Sequence, residues 1–183
     1  MRLFIGIPLS PEVIQELAAL TEQLKSPADG LRWPAPEGWH ITLQFLGSTS
    51  TDQYECVVPA LRRIRQAPFE IQLEPPRFFD NAGVFFAGVK LSPALTGLQQ
   101  VVTEATTPCG FPAEERPYHP HITLARAKGG RASLKALKSR VATTTEFSGF
   151  VAREFLLYES FPGRGGSQYE IRERFGLADA TIH

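Results

Sequence analysis

The tetrapeptide His-Ile-Thr-Leu occurs twice, at His40–Leu43 and again at His121–Leu124, and the chain has only four histidines in all. A repeat built on so scarce a residue is not a product of composition. Side chains alternate along a strand. His40 and Thr42 therefore share one face, with Ile41 and Leu43 on the other, and His121 with Thr123 repeats the arrangement. Each copy buries an aliphatic pair and offers an imidazole beside a hydroxyl. The copies lie 81 residues apart, close to half the chain, so two similar lobes facing each other bring both polar faces across one cleft.

Two imidazoles and two hydroxyls suit the opening of a phosphodiester. That reaction needs a base to take a proton from water and an acid to protonate the leaving oxygen. Histidine does either near neutral pH, because its unperturbed pKa is about 6.5. The threonine hydroxyls can donate to the non-bridging oxygens as charge builds in the transition state. No acidic cluster flanks either copy, so no metal or other cofactor is expected.

Composition agrees with an ordinary globular chain. Its 183 residues are 43% hydrophobic and 21% charged, with 19 basic and 19 acidic residues. A zero net charge argues against an indiscriminate nucleic-acid binder but leaves room for a local basic cleft. Cys56 and Cys109, with no CxxC between them, read as two reduced thiols of a cytoplasmic protein. The opening "MRLFIGIPLS" is too soon broken by Pro8 for a signal peptide, and no apolar run has the length of a membrane span. Neither GxGxxG nor a P-loop is present.

The elements that must carry the motifs are set by periodicity and punctuation. Strands are expected over 2–9, 39–47, 69–75, 84–91, 117–126, 150–160 and 167–177. Ser10-Pro11 opens a helix running to Leu24, Thr51 or Asp52 caps a second, Ser92-Pro93 opens a third over 93–107, and a short one covers 131–141. The stretch 26–38 reads as a Pro- and Gly-rich loop. The half-buried strand patterns and mixed connections give α+β with antiparallel sheets and helices outside them.

Other residues near the motifs carry two readings each. Strand parity puts Phe45 on the buried face with Leu43, although an exposed ring there could stack on a base. Trp33 and Trp39 can pack over the loop or stack on a base. Arg32, Arg116 and Tyr118 can be solvated surface groups or substrate contacts. His119, two residues before His121, raises a different chemistry: with His40 and His121 it would form a three-histidine zinc site. That alternative leaves the repeat unexplained and has no supporting carboxylate. A non-catalytic module binding RNA ends is a further alternative. A nucleotidyl-transferring ligase is not, since no Lys sits in a K-x-D-G setting.

With both motifs in their flanks, "LRWPAPEGWHITLQFLG" and "RPYHPHITLAR", the chain resembles the 2H phosphoesterase superfamily, and within it the RNA 2′,3′-cyclic phosphodiesterases, also called 2′-5′ RNA ligases. "MRLFIGIPL" is similar to that family's opening strand, and "LYES", with Tyr158 and Ser160, to a later one. The resemblance implies one domain over 1–183, made of two intertwined, pseudo-symmetric lobes around a central cleft, each contributing one motif. It implies metal-independent hydrolysis of an RNA terminal 2′,3′-cyclic phosphate to a 2′-phosphate, with reversible 2′-5′ ligation accessible in vitro. His40, Thr42, His121 and Thr123 are then the catalytic set, with His121 as base and His40 as acid. Arg126, Phe45, Trp33, Tyr118 and His119 are the candidate substrate contacts. The expected partner is RNA ending in 2′,3′-cyclic phosphate or a related small nucleotide. The protein is expected to be a monomer with no obligatory protein partner and no membrane. Two departures touch substrate preference: His119 before Pro120, and Gln44 where the family often has Lys.

Overall fold

The computed structural model describes residues 1–129 and 132–178. Strands are β1 Arg2–Pro8, β2 Leu31–Arg32, β3 His40–Ser48, β4 Phe69–Ile71, β5 Leu73–Phe79, β6 Val84–Val89, β7 His121–Ala127, β8 Phe150–Ala152, β9 Glu154–Gly163 and β10 Gly166–Gly176. Helices are α1 Pro11–Leu24, α2 Thr51–Arg62, α3 Pro93–Thr106 and α4 Ala132–Lys138. The class is α+β with antiparallel pairing, as the patterning predicts. One four-stranded sheet runs β10-β9-β1-β3 and another β2-β7-β6-β5, with β4-β8 as a separate pair.

Three strands of each large sheet correspond. Each motif strand has its neighbours in the same relation, β3 beside β1 then β9, and β7 beside β6 then β5. The chain is interleaved between them: β2, from the N-terminal part, joins the second sheet, and β9 and β10, from the C-terminal part, complete the first. A continuous core takes residues from both, including Ile5, Ile41, Leu98, Ile122, Leu124 and Leu157. Ile41, Leu43, Ile122 and Leu124 are all buried, as alternation requires.

Helix starts depend on side-chain capping. Ser10 Oγ accepts from the Val13 amide with Pro11 in the first turn, and Ser92 Oγ accepts from that of Leu95. The second helix is capped by Ser50, not by Thr51 or Asp52. Ser50 and Gln53 exchange hydrogen bonds in a capping box, which satisfies two backbone donors at once.

Several expected elements are divided. The run 69–75 breaks at Gln72, so that Phe69–Ile71 pairs with β8 while Leu73 onward joins β6. The run 150–160 breaks at Arg153 for the same reason. The loop 26–38 contains β2, whose two residues pair with Ala127 and Arg126. Of the helix expected over 131–141, Ala132–Lys138 is helical, and residue 131 lies outside the described residues.

The cysteines are not free thiols. Cys56 on α2 and Cys109 just beyond α3 form a disulfide across 53 residues of sequence. Their spacing carries no sign of this. The packing of α2 against α3 brings the two together. A closed loop of this size restricts the denatured chain by about 4 kcal/mol in the entropic account. Cys56→Ser is therefore expected to lower the unfolding free energy by about 2–4 kcal/mol, measured by chemical denaturation. Identical wild-type curves with and without reductant would refute a stabilising role.

Candidate active site

Each motif histidine is fixed by the same local device. His40 Nδ1 lies 2.8 Å from the Gly38 carbonyl oxygen, and His121 Nδ1 lies 2.7 Å from the His119 carbonyl oxygen. A carbonyl only accepts, so Nδ1 carries the proton in both rings and the neutral imidazoles keep their lone pairs on Nε2. Both rings therefore present the atom that can take or give a proton in the same way.

The rings are backed by aromatic side chains from corresponding strands. Phe4 on β1 and Tyr158 on β9 stack with centroids 4.7 Å apart, and Phe4 lies 4.7 Å from the His40 ring. Phe79 on β5 and Phe86 on β6 stack at 4.0 Å and present themselves to His121 at 5.2 and 5.4 Å. Gly6 makes room on the first side: a Cβ there would lie 2.9 Å from the Ile41 carbonyl oxygen and 3.4 Å from His40 Cδ2. Tyr169 adds its ring nearly perpendicular to His40 at 5.4 Å.

This setting decides the charge of the empty site. Burial among the rings is the largest influence on His40 and pushes its pKa down to about 4. The Gly38 hydrogen bond opposes the shift, while His121 and Arg126 add to it. His121 is lowered as well, again chiefly by burial, with Arg126 and His119 contributing. Both imidazoles are therefore neutral at neutral pH when the cleft is empty.

The copies differ in their threonines. Thr42 Oγ1 is 3.0 Å from His40 Nε2, so in the neutral site its hydroxyl donates to the imidazole lone pair. Among the described residues Thr123 makes no such bond.

Beyond the threonines both strands break parity at the same place. In the β1–β3 register Ile5 faces Gln44 and Gly6 faces Thr42, which leaves Leu43 as an extra residue. In β6–β7 Phe85 faces Ala125 and Phe86 faces Thr123, which leaves Leu124 extra. These bulges bury two successive residues and re-aim the side chains beyond them. Gln44 is buried and accepts a hydrogen bond from Thr106 Oγ1 at 2.8 Å. Phe45, expected in the core by strict alternation, is instead 72% exposed. Arg126 is its counterpart, five residues after the second histidine, and is also exposed.

Among the remaining candidates, Tyr118 donates its hydroxyl to the Thr42 carbonyl oxygen at 2.7 Å, tying the strand of one motif to the approach of the other. Phe45, Tyr118, His119 and His121 share a cavity of about 440 Å3 with Thr42 and Arg116. Arg116 is paired with Glu114 at 3.4 Å. Trp33 does not join them. Its indole N–H is bound to Asp29 and its ring meets Phe85 edge-on, so it packs over the loop. Trp39 is buried. His119 and His121 do not form a strand pair, because β7 begins only at His121. Among the described residues no three His, Cys, Asp or Glu side chains are grouped to hold a metal ion, so the zinc alternative lacks its ligand set.

Sequence reasoning missed the aromatic rings behind the histidines, along with Tyr169. The repeated Phe-Phe pairs at 78–79 and 85–86 were the available signal. Their meaning depends on which strands lie next to β7.

The model of the 2′-5′ RNA ligase superfamily matches residues 8–160. An RNA 2′,3′-cyclic phosphodiesterase of Geobacillus stearothermophilus is 33% identical over 86% of this chain, which spans about half (51%) of that protein's length. The Escherichia coli (strain K12) RNA 2′,3′-cyclic phosphodiesterase is 29% identical over 96% of each chain. The solved structure of E. coli LigT complexed with 3′-AMP superposes with a TM-score of 0.80 at 27% identity, covering 96% of this chain and 97% of that one. The paired histidine strands, the shared fold and these likenesses agree, and the chain belongs to the 2′-5′ RNA ligase superfamily.

Proposed function

We propose that the protein hydrolyses the 2′,3′-cyclic phosphate at the end of an RNA or small nucleotide, giving a 2′-phosphate without a metal ion. The observation that carries this reading is the pair of imidazoles with identically fixed Nδ1 protons, each leaving Nε2 for proton transfer. His121 Nε2 takes a proton from water as the water oxygen bonds to phosphorus. His40 Nε2 gives a proton to the departing 3′ oxygen. Thr42, Thr123 and Arg126 bind the non-bridging oxygens.

For His40 to act as the acid it must hold a second proton. Burial, His121 and Arg126 oppose that in the empty site. An arriving phosphate anion offsets them, so substrate binding and charging of His40 are coupled. Once charged, Nε2 becomes a donor and no longer accepts from Thr42. The Thr42 hydroxyl is then free to donate its hydrogen bond to the phosphate. Phe45, exposed beside this site, offers its face to a base. Tyr118 holds the cleft edges together, and His119 supplies its carbonyl to His121.

No helix among the described residues is long and apolar enough to cross a membrane. A cleft whose side chains all come from one chain supports a monomer with no obligatory protein partner, and an RNA or nucleotide substrate supports work in the cytoplasm. There the exposed Cys56 side of the disulfide meets reducing thiols, so assays should be run in both redox states. The test is incubation with an RNA ending in 2′,3′-cyclic phosphate in the presence of EDTA, identifying the product. Full turnover to a 2′-phosphate is expected. Activity abolished by EDTA and restored by Zn2+ would overturn the mechanism, and a 3′-phosphate product would overturn the assignment of the leaving oxygen.

A further inference from the structure

A second cavity, of about 450 Å3, opens beside His40. Its wall includes Gly38, whose carbonyl holds His40 Nδ1, and Tyr169, whose ring stands against His40. Its charge distinguishes it. Arg32, Arg126 and Arg164 line it against a single carboxylate, that of Glu37.

Arg32 and Arg126 are direct cross-strand partners in the β2–β7 pair. Like charges in that relation repel and cost stability. Arg164 is added by the β9–β10 turn. Gly165 and Gly166 there have φ of +82° and +133°, a conformation glycine adopts readily. A Cβ on Gly166 would lie 3.4 Å from Arg32 Cδ, so the turn sits directly over the Arg32 side chain. Among the described residues none of these three arginines is in an ion pair. Three guanidinium groups drawn together and left unneutralised form a site that an anion relieves.

Arg126 is common to this cavity and the histidine site. Its charge reaches both imidazoles, and its side chain lines the cavity. We infer that the cavity binds a phosphate group carried on the 5′ side of the nucleoside whose cyclic phosphate meets the histidines, with Arg32 and Arg164 as its binding residues. This rests on the function proposed above and deepens it: the protein recognises a nucleotide by a second phosphate. That phosphate is either the internucleotide diester of an RNA chain or the 5′-monophosphate of a mononucleotide.

Three substrates separate these sources: a nucleoside 2′,3′-cyclic phosphate, the same compound with a 5′-phosphate, and a dinucleotide ending in 2′,3′-cyclic phosphate. In the wild type, kcat/KM is expected to rise about 10- to 100-fold when the 5′-side phosphate is present, the scale of charge-assisted hydrogen bonds. Added salt should compress the advantage. A gain for both phosphorylated substrates assigns the site to the RNA diester, and a gain only for the 5′-monophosphate assigns it to mononucleotides. Arg164→Gln, in an exposed turn, should cut the advantage about tenfold, and Arg32→Gln should do the same without lowering thermal stability, since it removes a repulsion. Equal kcat/KM across the three substrates, or variants that scale all three alike, overturns the inference. If no substrate turns over, the catalytic reading fails, and equilibrium binding still decides the subsite. Adenosine 3′,5′-bisphosphate should bind about tenfold more tightly than 3′-AMP to the wild type and lose that margin in Arg164→Gln. Equal affinities in the wild type overturn it.

Discussion

His40→Ala and His121→Ala are each expected to reduce kcat by about 10²–10⁴-fold, and the double variant little further, because acid and base act as a unit. His119→Ala should cost far less, since only its backbone carbonyl serves His121. A mild His40→Ala beside a severe His119→Ala would refute the assignment of the first motif. The pH dependence carries a sign fixed by the site. Both imidazoles sit below the usual histidine value, His40 at about 4. The kcat/KM profile, which reports the free enzyme, should therefore be a bell displaced to the acid side. In kcat the alkaline limb should move up, because bound phosphate favours the charged imidazole. The limbs belong to the coupled pair rather than to either ring. A profile flat from about pH 5 to about pH 9, with chemistry rate-limiting, rules out two-histidine catalysis.

Removing a threonine hydroxyl should have the next largest effect. Thr42→Ala and Thr123→Ala are expected to lower kcat by about 10- to 10³-fold, the scale of one lost transition-state donor. Thr→Ser at either position keeps the hydroxyl and should retain most activity. The two alanine variants should differ in one respect. Thr42 is bound to His40 Nε2, so its loss should also move the pH profile, whereas loss of Thr123 should leave the limbs in place. Equal damage from serine and alanine would assign the role to the threonine methyl instead.

What the sequence could reveal, and what it could not, divides by the range of the interaction. The histidine-threonine faces, their buried aliphatic backs and the helix starts depend on residues a few positions apart, and these are legible. Strand parity misplaces Phe45 because parity is local while a bulge is defined only against a partner: nothing in "HITLQFLG" says that Leu43 has no opposite number on β1. The same displacement carries Arg126 to the open face, where alternation alone would have buried it. The short strand Leu31–Arg32 is invisible in a Pro-rich loop, since two residues have no periodicity and pair only because Arg126 and Ala127 lie beside them. The Cys56–Cys109 bond and the arrival of Arg164 above Arg32 depend likewise on packing between distant segments.

The matched bulges have a further consequence. A cleft with true twofold symmetry has no sense of direction, because rotating it exchanges its two histidines and leaves everything else alike. Such a cleft could open a cyclic phosphate by expelling either ribose oxygen. This one repeats its motif strands, its fixed histidines and an aromatic backing on each side, and it departs from symmetry in the Thr42 bond to His40 and in the residue each bulge turns outward. One half shows an uncharged π-face, Phe45, and the other a fixed cation, Arg126. A nucleotide also has an aromatic end and an anionic end, so it fits the cleft in one orientation. Which histidine meets the 3′ oxygen in the proposed reaction is thus set by the side chain five residues beyond each histidine. Exchanging those two side chains should turn the nucleotide round and bring His121, in place of His40, to the 3′ oxygen, where altering the histidines would only slow the reaction.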